Sequence, residues 1–163
     1  MNVPPTARIG FLGPIGTFTE QALTSQADLR ASVRVPYRTM PDVLDAVDSG
    51  ELDYGFLPIE NSIEGSVNLS QDELAFNHSL LIQREVVLDI EHCLVGASGT
   101  AMTDITLVLS HPVATAQCHA FLRRVLPQAD IHEASSTAEA ARLVAADRHP
   151  GVVAIAPRIA ADA

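Results

Sequence analysis

The chain has 163 residues, 47% of them apolar and 18% charged, and 10 basic against 20 acidic side chains give a formal net charge of −10. Such a composition is too apolar for a disordered chain, and this length buries enough surface for one domain or two small lobes. The acidic balance excludes nucleic acid as a partner, because phosphate binding needs clustered base, and argues equally against an anionic membrane surface. Cys93 and Cys118 carry neither a pairing pattern nor a metal spacing and fit a reducing compartment. No apolar run approaches the roughly 18 residues of a transmembrane helix. The first residues lack the basic and apolar regions of a signal peptide. The expectation is a cytoplasmic, acidic, globular protein.

In chain order, residues 7–13 (ARIGFLG) form an apolar run closed by glycine, as a buried strand would be, and residues 17–26 start a helix. Residues 33–37 read as a short strand. Residues 41–49 read as a helix with Val43, Leu44 and Val47 on one face, stopped by Gly50. Residues 54–59 (YGFLPI) are another buried run, and residues 64–76 read as helical at their far end, with Leu69, Leu74 and Phe76 apolar. Residues 80–95 are rich in Val, Leu and Ile but broken by Arg84, Glu85, Asp89 and Glu91. They predict one long, partly solvated strand running between two lobes. Beyond a Gly/Ser/Thr loop at 96–103 come a strand at 105–109, a helix at 112–125 and a strand at 130–133. An Ala-rich helix at 136–146, a strand at 152–155 and a helix start at Pro157 complete the chain. Strands separated by helices of this length imply βαβ units and mainly parallel sheets. The fold class is α/β: two lobes, residues 1–82 and 83–163, with a central cleft and the hinge strand opening the second.

The junctions after the strands carry the chemistry. Gly13-Pro14-Ile15-Gly16-Thr17-Phe18-Thr19-Glu20 comes after the first strand, and Pro58-Ile59-Glu60-Asn61-Ser62 after the third. Ser110-His111-Pro112, with Thr115 and Gln117 close behind, and Ser135-Ser136-Thr137 come after strands of the second lobe. Small hydroxyl and amide residues at helix starts, where free N–H groups and the positive end of the macrodipole lie, favour a small anion. Open α/β sheets bind ligands at that edge. Each junction alone is an ordinary helix cap; four together leave cap and site evenly matched. Residues 13–16 lack both the Gly-x-Gly-x-x-Gly spacing and a P-loop lysine, so a nucleotide is not expected.

Of the histidines at 78, 92, 111, 119, 132 and 149, none pairs with a second His or Cys at metal-ligand spacing, so no metal is expected. His92 reads as a packing or hydrogen-bonding group. His111, at a strand end, is equally balanced between a ligand role and a structural one. Cys118 and His119 are adjacent on a helix and point to different sides, which disfavours a nucleophilic couple. Arg123 and Arg124 end a helix, where cations complement the dipole.

Four segments, GPIGTFTEQA, DYGFLPIENSIEGSVNLSQDEL, REVVLDIEHCLVG and SHPVATAQCHAFL, resemble the catalytic domain of prephenate dehydratase. SSTAEAARLVA and VVAIAPRIAA continue the resemblance in order over nearly the whole chain. It implies two lobes like a type II periplasmic binding protein, with prephenate bound between them. The implied reaction is decarboxylative dehydration to phenylpyruvate, in phenylalanine synthesis, without a cofactor. It assigns catalytic roles to Glu60, Asn61, Ser110 and Gln117, and substrate-binding roles to Thr17, Thr19, Ser62, His111 and Thr115. It also implies a homo-oligomer, dimer or tetramer, for the full-length protein. The family's catalytic domain ends in a Thr-Arg-Phe motif, followed by a phenylalanine-binding ACT domain; neither is in this sequence. The expectation is therefore a fragment with most of the binding residues and impaired chemistry. Two alternatives stand beside it: a prephenate decarboxylase of the antibiotic-pathway kind, and a non-catalytic anion-binding module on the same fold.

Overall fold

The first apolar run forms strand β1 (Arg8–Leu12) in the computed structural model, which describes residues 3–63 and 65–161. The chain divides into two compact units, Met1–Leu88 and Asp89–Ala163. In the first, β1 lies between β2 (Val33–Tyr37) and β3 (Tyr54–Phe56), both parallel to it. The central position buries β1 most deeply: Ile9 and Phe11 pack with Val3, Ala7, Leu23 and Leu29. Helices α1 (Phe18–Ser25) and α2 (Ala27–Arg30) join β1 to β2, and α3 (Met40–Asp48) joins β2 to β3. Thr39 starts α3 by accepting the Asp42 N–H, and Gly50 stops it at φ +78, where a side chain would be strained. Val43, Leu44 and Ala46 form its buried face, with Val47 half-buried.

One expectation is corrected in this unit. Residues 54–59 are not a buried run: β3 is an outer strand paired for three residues, so Gly55 and Ile59 are exposed. After β3 the chain forms a small antiparallel pair, β4 (Glu60–Asn61) with β5 (Gly65–Ser66). Helix α4 (Asn68–Asp72) and a π-helical turn (Glu73–Asn77) come next. Leu69 and Phe76 face solvent, whereas Leu74 is half-buried. The expected helix start at Glu64 lies outside the described residues.

The long strand at 80–95 is also corrected. Residues 78–92 belong to no ladder, and pairing begins only at β6 (Cys93–Gly96). Apolar alternation supplies a pattern, but a strand needs a hydrogen-bonded neighbour. Here Leu81 and Val87 are each 81% exposed. The segment is tied down through Arg84, which donates to both carboxylate oxygens of Asp28 on α2 at 3.3 and 3.0 Å. The Val3 N–H donates to the same carboxylate. Arg84 first, then Val3, hold the Asp28 carboxyl below its ordinary value.

The second unit is a four-stranded sheet ordered β6-β9-β7-β8, built from β7 (Leu107–Ser110), β8 (Asp130–Glu133) and β9 (Val152–Ala156) beside β6. β7, β8 and β9 run parallel; β6 pairs antiparallel with β9. Helices α5 (Pro112–Val125) and α6 (Thr137–Asp147) each contribute to an apolar cluster. Ala114 and Leu122 of α5 pack with Val108, Val153 and Ile155, and Ala140, Ala141 and Val144 of α6 pack with Ala154 and Ala156. The alanine-rich face of α6 thus meets the small side chains of β9. Residues 158–160, capped by Pro157, form a single 3-10 turn where the sequence predicts a helix start. An α/β fold with mainly parallel sheets is what the alternation of elements predicts.

Phe11→Ala is expected to destabilise the protein by about 3–5 kcal/mol, the range for emptying a fully buried aromatic site, read as a lower urea midpoint. The lowered Asp28 pKa contributes stability that is present above the ordinary value of 3.8 and lost as pH falls through the folded value. An NMR titration of that carboxyl is expected to show a midpoint below 3.8 that moves back up in Arg84→Ala.

Candidate functional site

The turn after β1 is built around a buried carboxylate. Glu20, third residue of α1, accepts the Gly16 N–H at 2.7 Å on one oxygen and the Arg34 guanidinium at 3.0 Å on the other. Gly16 sits at φ +86, which glycine alone adopts without strain. Thr17 is the N-cap of α1: its Oγ1 accepts from Glu20 N at 3.4 Å and donates to Leu12 O at 3.3 Å. Thr19 is half-buried on the first turn of the same helix.

Glu60 and Asn61 lie beyond the end of β3, and β3 is parallel to and paired with β1. Both connections of this unit that hold candidate residues therefore leave the sheet at the carboxyl ends of adjacent strands. The junction beyond β3, grouped with the helix starts by its sequence, forms the β4–β5 pair. Asn61 Oδ1 accepts the Ile63 N–H at 2.9 Å, a side-chain turn that directs the backbone into a hairpin. Gly65 at φ +85 continues that turn. Glu60 and Ser62 are exposed, and Asn61 is half-buried.

In the second unit β7 ends at Ser110, and α5 begins immediately after His111. His111 Nδ1 accepts the Val113 N–H at 3.4 Å, which places the proton of the neutral ring on Nε2. Thr115 Oγ1 donates to His111 O at 3.3 Å. Ser110 stands apart from this group: it is fully buried, and its hydroxyl donates to Ile155 O of neighbouring β9 at 2.8 Å. Its observed role is to link two strands. Gln117 Oε1 lies 2.7 Å from His92 Nε2. Ser136 caps α6 by accepting the Glu139 N–H at 3.0 Å.

The first turns of α1, α3 and α6 carry Glu20, Asp42 and Glu139, whose charges offset the helix dipole locally. The first turn of α5 has no acidic residue, and its last turn holds Arg123 and Arg124. Among these four helices, α5 keeps the unneutralised amino end. Cys118 packs against the core cluster that α5 covers, and burial pushes its thiol above the ordinary range. That argues against a thiolate nucleophile. Among the described residues, no group of three or more His, Cys, Asp or Glu side chains is arranged to hold a metal ion.

Three contributors escape sequence inspection to different degrees. Glu20 is signalled by the spacing Thr17-x-x-Glu20, a capping-box pattern. Arg34 has no local signal, because its partner lies across a strand crossover. His92 is read from sequence as a packing or hydrogen-bonding group, which the structure bears out, but its partner has no local signal, since 25 residues separate it from Gln117.

Residues 9–163 match the family model described as prephenate dehydratase. The chain is 42% identical over 153 residues to a prephenate dehydratase of Bacillus subtilis (strain 168), covering 90% of this chain and 53% of that one. A prephenate dehydratase structure from Arthrobacter aurescens, in complex with L-Phe, matches with a TM-score of 0.85 at 37% identity. That match covers 93% of this chain and 50% of the other. A structure described as a novel type of quorum quenching acylase matches with a TM-score of 0.73 at 27% identity, covering 95% and 56%. The chain thus spans about half the length of these relatives.

Glu20→Gln preserves the shape of the buried group and removes its charge. It is expected to cost about 1.5–3 kcal/mol, the range for hydrogen bonds to a charged partner. Urea unfolding would register this as a lower midpoint with an unchanged slope.

Proposed function

The chain belongs to the prephenate dehydratase family, and from that membership we propose that it serves the decarboxylative dehydration of prephenate to phenylpyruvate in phenylalanine synthesis. The observation that carries the proposal is the placement of hydroxyl, amide and imidazole groups at strand carboxyl ends. Thr17 and Thr19 lie beyond β1, Glu60, Asn61 and Ser62 beyond β3, and His111, Thr115 and Gln117 beyond β7. This is the edge of a parallel sheet where small anions bind.

Prephenate carries a ring carboxylate, a side-chain carboxylate and a ring hydroxyl. The bond to the ring carboxylate breaks and releases carbon dioxide. Its electron pair enters the ring, and the hydroxyl departs with a proton as water, leaving an aromatic product. The protein has to hold a dianion and hydrogen-bond the leaving oxygen. In this reading Glu60, Asn61 and Gln117 take catalytic roles, and Thr17, Thr19, Ser62, His111 and Thr115 take substrate-binding roles. Ser110 supports the α5 end through its bond to Ile155. The resemblance to the family implies no cofactor for this redox-neutral reaction. We assign the protein to the cytoplasm and, in full-length form, to a homo-oligomer.

An acylase reading is weaker on two counts. Identity to the acylase is 27%, against 42% and 37% to prephenate dehydratases. Acyl transfer also needs an activated nucleophile. The Ser110 hydroxyl is committed to a backbone carbonyl, and the Cys118 thiol is held protonated by burial.

Calorimetry with prephenate, run alongside ultraviolet detection of phenylpyruvate, tests the proposal. Binding with phenylpyruvate formation supports it. A product that keeps a non-aromatic ring would make the protein a decarboxylase, and binding with no product would make it a binding module. Asn61→Ala is expected to weaken prephenate binding roughly 10-fold to 100-fold, the equivalent of one buried polar contact.

A further inference from the structure

We infer that His92 is a positioning residue for Gln117, turning its amide so that the N–H groups, and not the oxygen, are left for an anionic ligand. This inference rests on the proposed binding role of Gln117. His92 Nε2 approaches Gln117 Oε1 at 2.7 Å. An amide oxygen only accepts, so the ring nitrogen has to donate. It does so in the Nε2–H tautomer and in the charged imidazolium alike. With its oxygen engaged, Gln117 has its two N–H donors left to offer. Donors are what a carboxylate or a departing hydroxyl oxygen requires; the reverse orientation would present an oxygen and repel both.

Both partners are mounted on fixed backbone. His92 immediately precedes β6, whose first residue, Cys93, pairs with Ala156 of β9. Gln117 lies on α5, which Ala114, Cys118 and Leu122 pack against Val108, Val153 and Ile155. Glutamine has three side-chain torsions, and fixing them in advance removes an ordering cost that a ligand would otherwise meet. Removing a ring that only fills space would change stability and leave the Gln117 contribution intact. Removing a positioning ring abolishes that contribution.

The test is a double-mutant cycle on this chain with prephenate as the calorimetric probe, joined to nitrogen-15 NMR of the His92 ring. Gln117→Ala is expected to weaken binding about 10-fold. His92→Leu is expected to lose a similar factor, and the double variant no more than either alone. His92→Gln, which keeps a donor at comparable reach, is expected to stay within about 3-fold of the unaltered chain. Full and independent losses in the double variant, or no rescue by His92→Gln, would overturn the positioning role. The ring spectrum is read without ligand: a proton on Nε2 supports the inference, and an unprotonated Nε2 overturns it. If the unaltered chain binds no prephenate and Gln117→Ala changes nothing, the dehydratase reading fails and takes this role with it. If Gln117→Ala weakens binding while His92→Leu leaves it unchanged, the dehydratase reading survives and the positioning role does not.

Discussion

Parallel pairing constrains both units in the same way. β1, β2 and β3 run in one direction, as do β7, β8 and β9, so the segments that leave their carboxyl ends gather on one edge of each sheet. Parallel strands need crossover helices, and the helices that start on that edge bring free N–H groups and dipole ends with them. The candidate residues are short-chain donors and acceptors because the backbone already supplies the approach. Glu20 shows how tightly one such turn is held: one carboxylate fixes the Gly16 N–H and, through Arg34, ties the turn to β2.

A net charge of −10 and the proposed dianionic substrate look opposed. At physiological salt, charges act over only about 8 Å, so the groups at the edge matter more than the total. The amino end of α5 lacks an acidic residue, and Arg123 and Arg124 at its far end complement the dipole. Arg158, just beyond β9, lies 3.7 Å from Glu91, an exposed pair of small energetic value. In the proposed reading, oriented amides and imidazoles stand where a basic cluster would serve a polyanion.

Residues 78–92 show where pattern and structure part. Their alternation of apolar and charged residues is strand-like, yet they join no ladder. Arg84 holds them to Asp28 through a charged contact instead. The run at 54–59 departs from its pattern for a related reason, because hydropathy does not reveal whether a strand has one neighbour or two. The β4–β5 pair is invisible to local pattern because Asn61 supports a side-chain turn as readily as a helix cap.

The sequence by itself determined the order of the strands and crossover helices of the two main sheets, the bounds of β2, β8 and α5, and the α/β class. These depend on local periodicity and on caps such as Thr17 and Ser136, which act within a few residues. It also marked the turns after β1 and β7 as sites for small polar side chains, and the family motifs singled out the residues in them. Tertiary structure alone decided which of those side chains remain available. It engaged the Ser110 hydroxyl with Ile155, paired Gln117 with His92 and placed Arg34 against Glu20. Each of those contacts joins residues 14 to 45 positions apart. Such partners are chosen by strand order and helix packing, which no local pattern encodes.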